Sequence, residues 1–295
     1  MRSDSNPGLV SGQYSLLASL TGHIKRGINI PSMLKYLALT RLAIQRQIVY
    51  RAATLAGLAT NLFFGVLRAA VMVALFSART QVAGMSVQDA ITYTGISQAC
   101  IAFLSLFSWF EIIRSVDSGQ VGADLLKPMD YFFFWGAQDL GRALVNLVLR
   151  GLTIMVFYAL IFKITLPDSP AQWIALFISV GLAWMISFAW RFLINLTAFW
   201  SPNSIGICRM LFAFSWFMSG FFMPLRFMPG WFVRLCDLTP FPSMINTIIE
   251  VYLGLLEGPA LEQALLTQAA WALGLMLLGQ FVLQLGVRRL VIQGG

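Results

Sequence analysis

Histidine is nearly missing from this sequence, because the only one among 295 residues is His23, close to the N-terminus. No apolar segment therefore holds an imidazole that could activate a serine or cysteine nucleophile. Acidic residues are also few, 12 in all, and no two of them stand three or four positions apart. This spacing excludes the paired carboxylates with which lipid-processing transferases hold a metal ion and a diphosphate.

Other absences limit metal binding and the source of energy. The three cysteines, Cys100, Cys208 and Cys236, are scattered without CxxC spacing, so neither a disulfide framework nor a metal site is indicated. No lysine follows a glycine, which excludes the phosphate-binding pattern GxxxxGK[ST], and the potassium-channel sequence TVGYG is absent as well. If ATP drives this chain, another subunit must bind the nucleotide.

Charge itself is scarce. Charged residues make up 11% of the chain, compared with about 25% in a soluble domain. Hydrophobic residues make up 58%, and the mean hydropathy is +0.77. So few charges cannot cover a water-facing surface, and the long apolar runs suit helices rather than a barrel. The sequence therefore predicts an all-α integral membrane protein.

Six apolar segments are long enough to cross roughly 30 Å of hydrocarbon as helices. The predicted spans are Ala52–Phe76, Ala90–Ile113, Leu140–Phe162, Trp173–Trp200, Ile205–Pro224 and Ala264–Val287. Together, residues 52–295 form one predicted transmembrane domain.

Two regions precede the first span. Residues 1–30 are too polar and broken for a signal peptide, so we expect a cytoplasmic tail. Residues 31–51 alternate apolar and basic side chains at helical spacing, which predicts an amphipathic helix in the membrane interface. A solvated helix packed against its own protein is the alternative. The apolar side contains Met33, Leu34, Leu37, Leu42, Ile44 and Ile48, and the basic side Lys35, Arg41, Arg46 and Arg51.

Lysine and arginine counts set the expected orientation. With the N-terminus inside, twelve basic residues face the cytoplasm and four face outside, so we expect both termini in the cytoplasm. This bias accounts for the net charge of +8 without nucleic acid as a partner. The cytoplasmic set is Arg2, Lys25, Arg26, Lys35, Arg41, Arg46, Arg51, Arg114, Lys127, Arg209, Arg288 and Arg289, and the outer set is Arg79, Lys163, Arg226 and Arg234.

Two connections are unusual. The cytoplasmic loop from Arg114 to Gln138 places charges around a proline and then three consecutive phenylalanines. The outer connection from Leu225 to Gln263 is apolar, aromatic and broken by prolines. Non-helical backbone is tolerated at membrane depth only where protein buries it. We therefore expect short outer helices, one at Met244–Leu253, that dip back into the outer leaflet; a purely extracellular hydrophobic loop is the alternative.

Four arginines interrupt the spans: Arg68, Arg142, Arg150 and Arg191. Arginine at the bilayer centre costs about 2.5–3.5 kcal/mol, so such residues usually face the bundle interior or snorkel. Asp139 stands three residues before Arg142, which predicts a structural pair. Arg150 and Arg191 are candidates for contacting an anionic group of a substrate or a partner helix, with snorkelling or a structural pair as the alternative.

Two stretches carry a resemblance to a known family. They are Ile112–Leu144, which contains "GADLLKPMDYFFFW", and Ser219–Gly254, with its glycine, prolines and Pro-Phe. From Pro31 to the C-terminus the chain resembles the permease subunits of type-2 ABC exporters, and the first stretch resembles a sparsely characterised bacterial subgroup of them.

The resemblance implies that the loop after the second span contains a coupling helix that docks on a cytosolic ATPase, beside an N-terminal elbow helix. Asp124 and Lys127 would make polar contacts, and Pro128 would end the helix; an ordinary solvated loop is the alternative. The predicted coupling residues are Gly119, Gly122, Asp124, Leu125, Leu126, Lys127 and Pro128. The predicted outer re-entrant region contains Gly220, Pro224, Pro229, Pro240 and Pro242.

The resemblance further implies the permease half of an ATP-driven exporter in the bacterial inner membrane. Its partners would be a dimer of cytosolic ATPase subunits, a second permease (identical or paralogous) and membrane lipid. ATP and Mg would be bound by the ATPase, with no cofactor in this chain. Spans one, two and five would line a path for an apolar or amphipathic cargo such as a lipid, peptide, drug or glycan. Candidate path residues are Arg150, Arg191, Phe214, Phe217 and Phe221. A secondary transporter or channel, or a non-transporting assembly subunit, is the alternative.

Overall fold

The computed structural model describes residues 30–49 and 51–289, so the predicted tail of residues 1–30 lies almost wholly outside the described residues. The helices are α1 (Ile30–Val49), α2 (Arg51–Leu75), α3 (Val87–Leu104), α4 (Glu111–Asp117), α5 (Val121–Leu125), α6 (Tyr131–Asn146), α7 (Thr153–Ile161), α8 (Pro170–Asn195), α9 (Ser204–Met218), α10 (Gly230–Asp237), α11 (Asn246–Tyr252) and α12 (Gly258–Val287). A π-helix at Leu147–Leu152 joins α6 to α7 without interruption, and 3₁₀ turns lie at Leu196–Phe199, Leu225–Phe227 and Pro242–Met244.

Four helical stretches are long and apolar enough to cross a membrane. They are Ala56–Leu75, Tyr131–Ile161, Pro170–Phe199 and Gly258–Val287. They match the first, third, fourth and sixth predicted spans, although the third and sixth begin earlier than predicted. Charged residues at those early positions lower hydropathy but do not stop a helix. A membrane protein with helices as its main element is therefore confirmed.

The second predicted span is not one continuous helix. α3 ends at Leu104, Ser105 adopts a left-handed conformation with φ +49°, and helical structure resumes only at α4. Hydropathy averages over this break, because its residues Ser105–Phe110 are mostly apolar. The fifth predicted span is shortened as well, since α9 has 15 residues and ends at Met218.

α3 is not among the four long apolar stretches, and its polar residues are buried inside the protein. Its buried residues include Thr92, Thr94, Ser97 and Gln98, each at most 2% exposed. The hydroxyls of Thr92, Thr94 and Ser97 donate to the carbonyls of Gln88, Ile91 and Thr94, so these three hydroxyls are satisfied within their own helix. A helix enclosed by other helices can hold such residues without exposing them to hydrocarbon.

A two-stranded hairpin precedes α3, and the sequence did not predict it. β1 (Gln81–Val82) pairs antiparallel with β2 (Met85–Ser86) around a turn in which Ala83 and Gly84 both have positive φ. Two consecutive positive φ angles are typical of the tight hairpin turn that suits twisted strands. Ser86 then caps α3 in a reciprocal pair of hydrogen bonds with Asp89.

The core lies around α8 and the aromatic side chains that meet it. Phe132 of α6 lies between Phe188 and Phe192 of α8, with ring centroids 5.0 and 4.9 Å away. Large apolar side chains on the opposite faces are exposed, for example Phe177 at 71% and Leu160 at 81%. Exposed apolar surface of this extent is expected where lipid replaces water.

Candidate functional site

The segment before α6 forms a compact helical hairpin. α4 and α5 are joined at Ser118–Gln120, where Gly119 has φ +73° and therefore takes the left-handed conformation that glycine adopts most readily. α5 ends at Leu125, three residues before Pro128, and not at the proline as predicted. Its last helical hydrogen bond runs from the Leu126 N–H to the Gly122 carbonyl.

Asp124 fixes α5 against α4. Its carboxylate accepts hydrogen bonds from the Ser115 hydroxyl and the Lys127 ammonium, both at 2.7 Å. The Lys127 nitrogen also lies 4.1 Å from the centroid of the Phe134 ring. The two predicted polar residues, Asp124 and Lys127, thus bind each other and neighbouring side chains of the same protein. The Asp124 side chain is only 14% exposed. This arrangement favours a positioning role for Asp124 over direct contact with a partner.

Leu126 is the apolar residue that the hairpin presents outward. It is 69% exposed, while Leu125 beside it is half-buried against the core. Lys127 and Pro128 next to it are exposed as well. An exposed leucine flanked by a lysine and held on an ordered turn provides a small apolar contact surface with a polar rim.

Asp130 connects this hairpin to two other parts of the chain. Its carboxylate accepts from the Phe133 N–H at 3.0 Å and so caps α6. The Gln280 amide of α12 donates to the same carboxylate at 3.1 Å. The Asp130 N–H donates to the Tyr36 hydroxyl of α1 at 3.1 Å. Partial burial raises the pKa of the Tyr36 hydroxyl.

α1 crosses α6 in close backbone contact. The Thr40 hydroxyl donates to the Ala137 carbonyl at 3.0 Å. At Gly141, an added Cβ would lie 2.5 Å from the Thr40 carbonyl oxygen and 2.6 Å from the Ala43 Cβ. Small residues allow this approach, as at helix pairs within membranes. α1 therefore packs on its own protein through one face.

The opposite face of α1 remains exposed and carries both apolar and basic side chains. Met33, Leu34 and Leu37 are 52–65% exposed, and Leu42 is 55% exposed. Lys35, Arg41 and Arg46 are exposed too. Packing and an amphipathic exposed face are thus combined in one helix.

Two of the arginines form a buried charge cluster with Asp139. The Arg191 side chain is 1% exposed and the Asp139 side chain 0%. Arg191 donates to both carboxylate oxygens, Arg142 donates to Asp139 Oδ1 at 2.9 Å, and the Trp184 indole donates to Oδ2 at 3.0 Å. The Asp139–Arg142 pair expected from spacing is present. Because Arg191 is enclosed in this cluster, it is not available to a solute, and the structural-pair alternative is the better description.

The same region holds the break after α3. Arg142 donates to the carbonyls of Ala102 and Phe103 at 2.8 and 3.1 Å. The Ser187 hydroxyl donates to the Leu104 carbonyl, the Asn195 amide to the Trp109 carbonyl and the Trp216 indole to the Leu106 carbonyl. Side chains from α6, α8 and α9 therefore satisfy the carbonyls that the broken helix leaves free. The break is an ordered feature that links α3 to the α4–α5 hairpin.

Arg68 and Arg150 differ from this cluster. Arg68 Nη1 donates to the Ser97 hydroxyl at 2.9 Å, and its Nη2 donates to the carbonyls of Phe221 and Phe222. Arg150 lies half-buried in the π-helix, with its guanidinium against Gly57 of α2. None of the ion pairs among the described residues includes Arg68 or Arg150.

The predicted aromatic path residues are not equivalent. Phe214 and Phe217 of α9 are 57% and 56% exposed. Phe221 is 5% exposed and packs against Arg68 and Phe107. Phe221 therefore lies inside the protein rather than on an open surface, whereas Phe214 and Phe217 face outward.

The outer connection is packed against the bundle. Gly220 has φ +78°, and its carbonyl accepts from the Tyr93 hydroxyl at 2.7 Å. Tyr93 also donates to Asn246 Oδ1, so α3 and α11 meet at this point. α11 falls within the predicted helix Met244–Leu253, and Ile245, Ile248 and Ile249 are at most 1% exposed. The predicted prolines separate the short helices: Pro224 and Pro240 are buried, Pro242 is half-buried and Pro229 is exposed.

The family of this chain follows from a match over most of its length. Residues 29–294 match the family model described as ABC-2 family transporter protein. The chain belongs to this family. No curated protein matches the sequence.

Membership in the ABC-2 family confirms the resemblance to type-2 ABC permease subunits and makes the chain a multi-pass membrane protein. It also implies association with an ABC ATPase subunit. Membership gives no role to any single residue, so the coupling, path and outer assignments remain predictions for this ABC-2 protein.

Sequence reasoning gave no role to Asp130 and identified Arg68 only as a charge within a span, yet both residues organise this ABC-2 chain. Asp130 connects α1, α6 and α12. The available sequence signal was an aspartate directly before an apolar helix, which is typical of a helix N-cap. Arg68 donates to the carbonyls of Phe221 and Phe222, just after α9. These residues follow Arg68 by more than 150 positions, and no sequence signal connected them to it.

Proposed function

We propose that this chain is the membrane-spanning half of an ATP-driven exporter that moves an amphipathic or apolar cargo out of the cytoplasm. A separate pair of ATPase subunits binds ATP and Mg, and a second permease, identical or related, completes the path. The observation that carries the proposal is the ordered α4–α5 hairpin, which presents Leu126 outward and is tied through Asp130 to α1, α6 and α12.

Six crossings fit this role better than four. α3 has 18 residues, which is about 27 Å of helix, and its enclosure by neighbours explains its low hydropathy. α9 is shorter, and Ser219–Pro224 extends it toward the outer short helices. With six crossings and the basic residues inside, the α4–α5 hairpin faces the cytoplasm and α10 and α11 face outward.

α1 serves as the elbow helix in this arrangement. Its packed face lies on α6 next to the capping residue Asp130, and its exposed face carries leucines together with Lys35, Arg41 and Arg46. Such a face suits the boundary between anionic headgroups and acyl chains. The elbow and the hairpin are therefore parts of one cytoplasmic surface.

Movement of the hairpin has a direct mechanical route into the bundle. α4 follows the break at Ser105–Phe110. Arg142 and Ser187 hold the last carbonyls of α3 before the break, and Asn195 and Trp216 hold carbonyls within it. When the ATPase subunits close on ATP, they must bind one arrangement of the hairpin better than another to shift the bundle. Phe214 and Phe217 are the exposed aromatic residues that remain as candidates for the cargo path.

The docking surface is tested with Leu126→Glu in the complex purified in mild detergent from cells that express the chain with its ATPase. A charge on the exposed leucine is expected to weaken ATPase binding by about tenfold or more, as loss of an interface anchor does. Retained ATPase and the rate of ATP hydrolysis are the measurements.

Leu238→Glu is the matched control, because Leu238 is 76% exposed and lies beyond α10 on the proposed outer side. It is expected to leave the complex intact. Normal ATPase binding and turnover in Leu126→Glu would contradict the docking assignment. Solute transport by the purified chain alone in liposomes would instead favour a secondary transporter.

A further inference from the structure

Arg150 differs from the other arginines of the bundle because neither a carboxylate nor a backbone carbonyl accepts a hydrogen bond from it in the described part of the chain. Arg142 and Arg191 share the carboxylate of Asp139, and Arg68 is held by a hydroxyl and two carbonyls. Among the described residues, the one polar partner of Arg150 is the neutral side chain of Asn61. A guanidinium in a membrane-spanning segment costs free energy when no anion is near it.

The surroundings of Arg150 are formed by α2 and the π-helix. With the Asn61 amide oriented to satisfy both of its ends, its nitrogen donates to the Gly57 carbonyl at 3.2 Å and its oxygen accepts from Arg150 Nη2 at 3.1 Å. A Cβ at Gly57 would lie 2.7 Å from Nη2 and 3.1 Å from Nη1. The absence of a side chain at Gly57 is therefore what makes room for the guanidinium.

Arg150 also has donor capacity left over. Its Nε is fully buried without a hydrogen-bond partner in the described part of the chain, while the residue as a whole is half-buried. The π-helix at Leu147–Leu152 turns this position relative to a regular helix, and π-turns in helices are frequent at functional sites. Val148, Leu149 and Leu152 of the same π-helix are 44–56% exposed, so the π-helix itself presents open apolar surface.

The depth of the guanidinium is taken from its contact with α2, which begins two residues after α1 ends. Side chains on a helix tilt toward its N-terminus, which is the cytoplasmic end of α6–α7 in the proposed orientation. Gly57 stands six residues after the start of α2, which is about 9 Å from its cytoplasmic end. The guanidinium is thus within reach of the headgroup region of the inner leaflet.

We propose that Arg150, with Gly57 and Asn61, forms an inner-leaflet binding site for the headgroup of an amphipathic molecule that carries an oxyanion and a net negative charge, such as a phosphate monoester or an anionic phosphate diester on an acyl chain. A planar guanidinium binds such a group with two parallel hydrogen bonds. The orientation, and with it the depth of the site, rests on the proposed function. The source of the headgroup is a resident phospholipid or the cargo itself.

The test uses the full chain in nanodiscs of phosphatidylcholine with a minor fraction of phosphatidylglycerol, and counts retained lipids by native mass spectrometry. The wild type is expected to retain phosphatidylglycerol in preference to phosphatidylcholine, and Arg150→Gln to reduce that preference by about tenfold. Arg150→Lys keeps the charge but not the two parallel hydrogen bonds, so it is expected to retain only part of the preference.

Two further variants keep the test decisive. Gly57→Ala displaces the guanidinium without removing its charge and is expected to lower the preference as well. Arg209→Gln removes an exposed arginine of α9 and is expected to leave the preference unchanged. Equal retention of both lipids by the wild type, or equal loss in Arg150→Gln and Arg209→Gln, would overturn the site.

A second measurement separates the two sources. In the complex with its ATPase, trapping with ATP and vanadate releases the retained phosphatidylglycerol if the headgroup belongs to cargo, and leaves it bound if it belongs to a resident lipid. The nanodisc measurement needs no ATPase. It therefore tests the lipid site even if the chain is not part of an exporter.

Discussion

Arg191 of α8 donates two parallel hydrogen bonds to Asp139 of α6, from Nη1 to Oδ1 at 2.9 Å and from Nη2 to Oδ2 at 2.8 Å. Neither side chain is more than 1% exposed. A bidentate pair of this kind is geometrically specific and is strong only while both partners are present. It therefore sets the relative position of the two helices that also hold the break after α3.

Asp139→Ala is expected to destabilise the chain by about 3–5 kcal/mol, because it leaves the Arg191 charge buried without a partner. The double variant Asp139→Leu with Arg191→Met removes both charges and is expected to be more stable than Asp139→Ala alone. Thermal unfolding in detergent is the measurement. A double variant that unfolds no later than the single one would show that the pair is not the source of the loss.

Gly141→Ala is expected to destabilise the contact between α1 and α6, because the added Cβ would lie 2.5 Å from a backbone oxygen of α1. The matched control is Gly181→Ala in α8, where a Cβ meets nothing within 4 Å. There the exchange is expected to stabilise the helix by up to about 1 kcal/mol. The melting temperatures should therefore move in opposite directions, and a parallel shift would contradict the packing of α1.

Gly220→Ala and Tyr93→Phe are expected to be coupled. An alanine Cβ at Gly220 would lie 2.5 Å from the Tyr93 hydroxyl, and Tyr93→Phe removes that oxygen together with two hydrogen bonds. Each single variant is expected to cost about 1–3 kcal/mol. The double variant should cost less than the sum, since the clash is absent. Unfolding free energies of all four proteins provide the cycle, and full additivity would contradict the contact.

The sequence predicted those features of the fold that depend on local pattern. Hydropathy located the four long helices, and the spacing of Asp139 and Arg142 on one helix predicted their pair. It could not show that Arg191, 52 residues away, shares the same carboxylate. Long-range partners of this kind depend on how the helices pack, which no single stretch of sequence records.

The break after α3 and the roles within the hairpin were hidden for related reasons. Ser105–Phe110 contains no proline or glycine that would signal a break, and the side chains that bond the carbonyls at and before it come from distant helices, α6, α8 and α9. Asp124 looked like a contact for a partner because it is charged and in a loop. Its hydrogen bond to Ser115, nine residues earlier, depends on the turn at Gly119.

The polar residues enclosed in α3 impose an order on synthesis. α3 leaves the ribosome before α6 and α8 exist, so Thr92, Thr94, Ser97 and Gln98 have no protein around them at that stage. Polar side chains weaken the partition of a nascent helix from the translocon into lipid. We therefore expect α3 to become stable in the membrane only after α6 and α8 have been synthesised, so that insertion of this chain is cooperative rather than helix by helix.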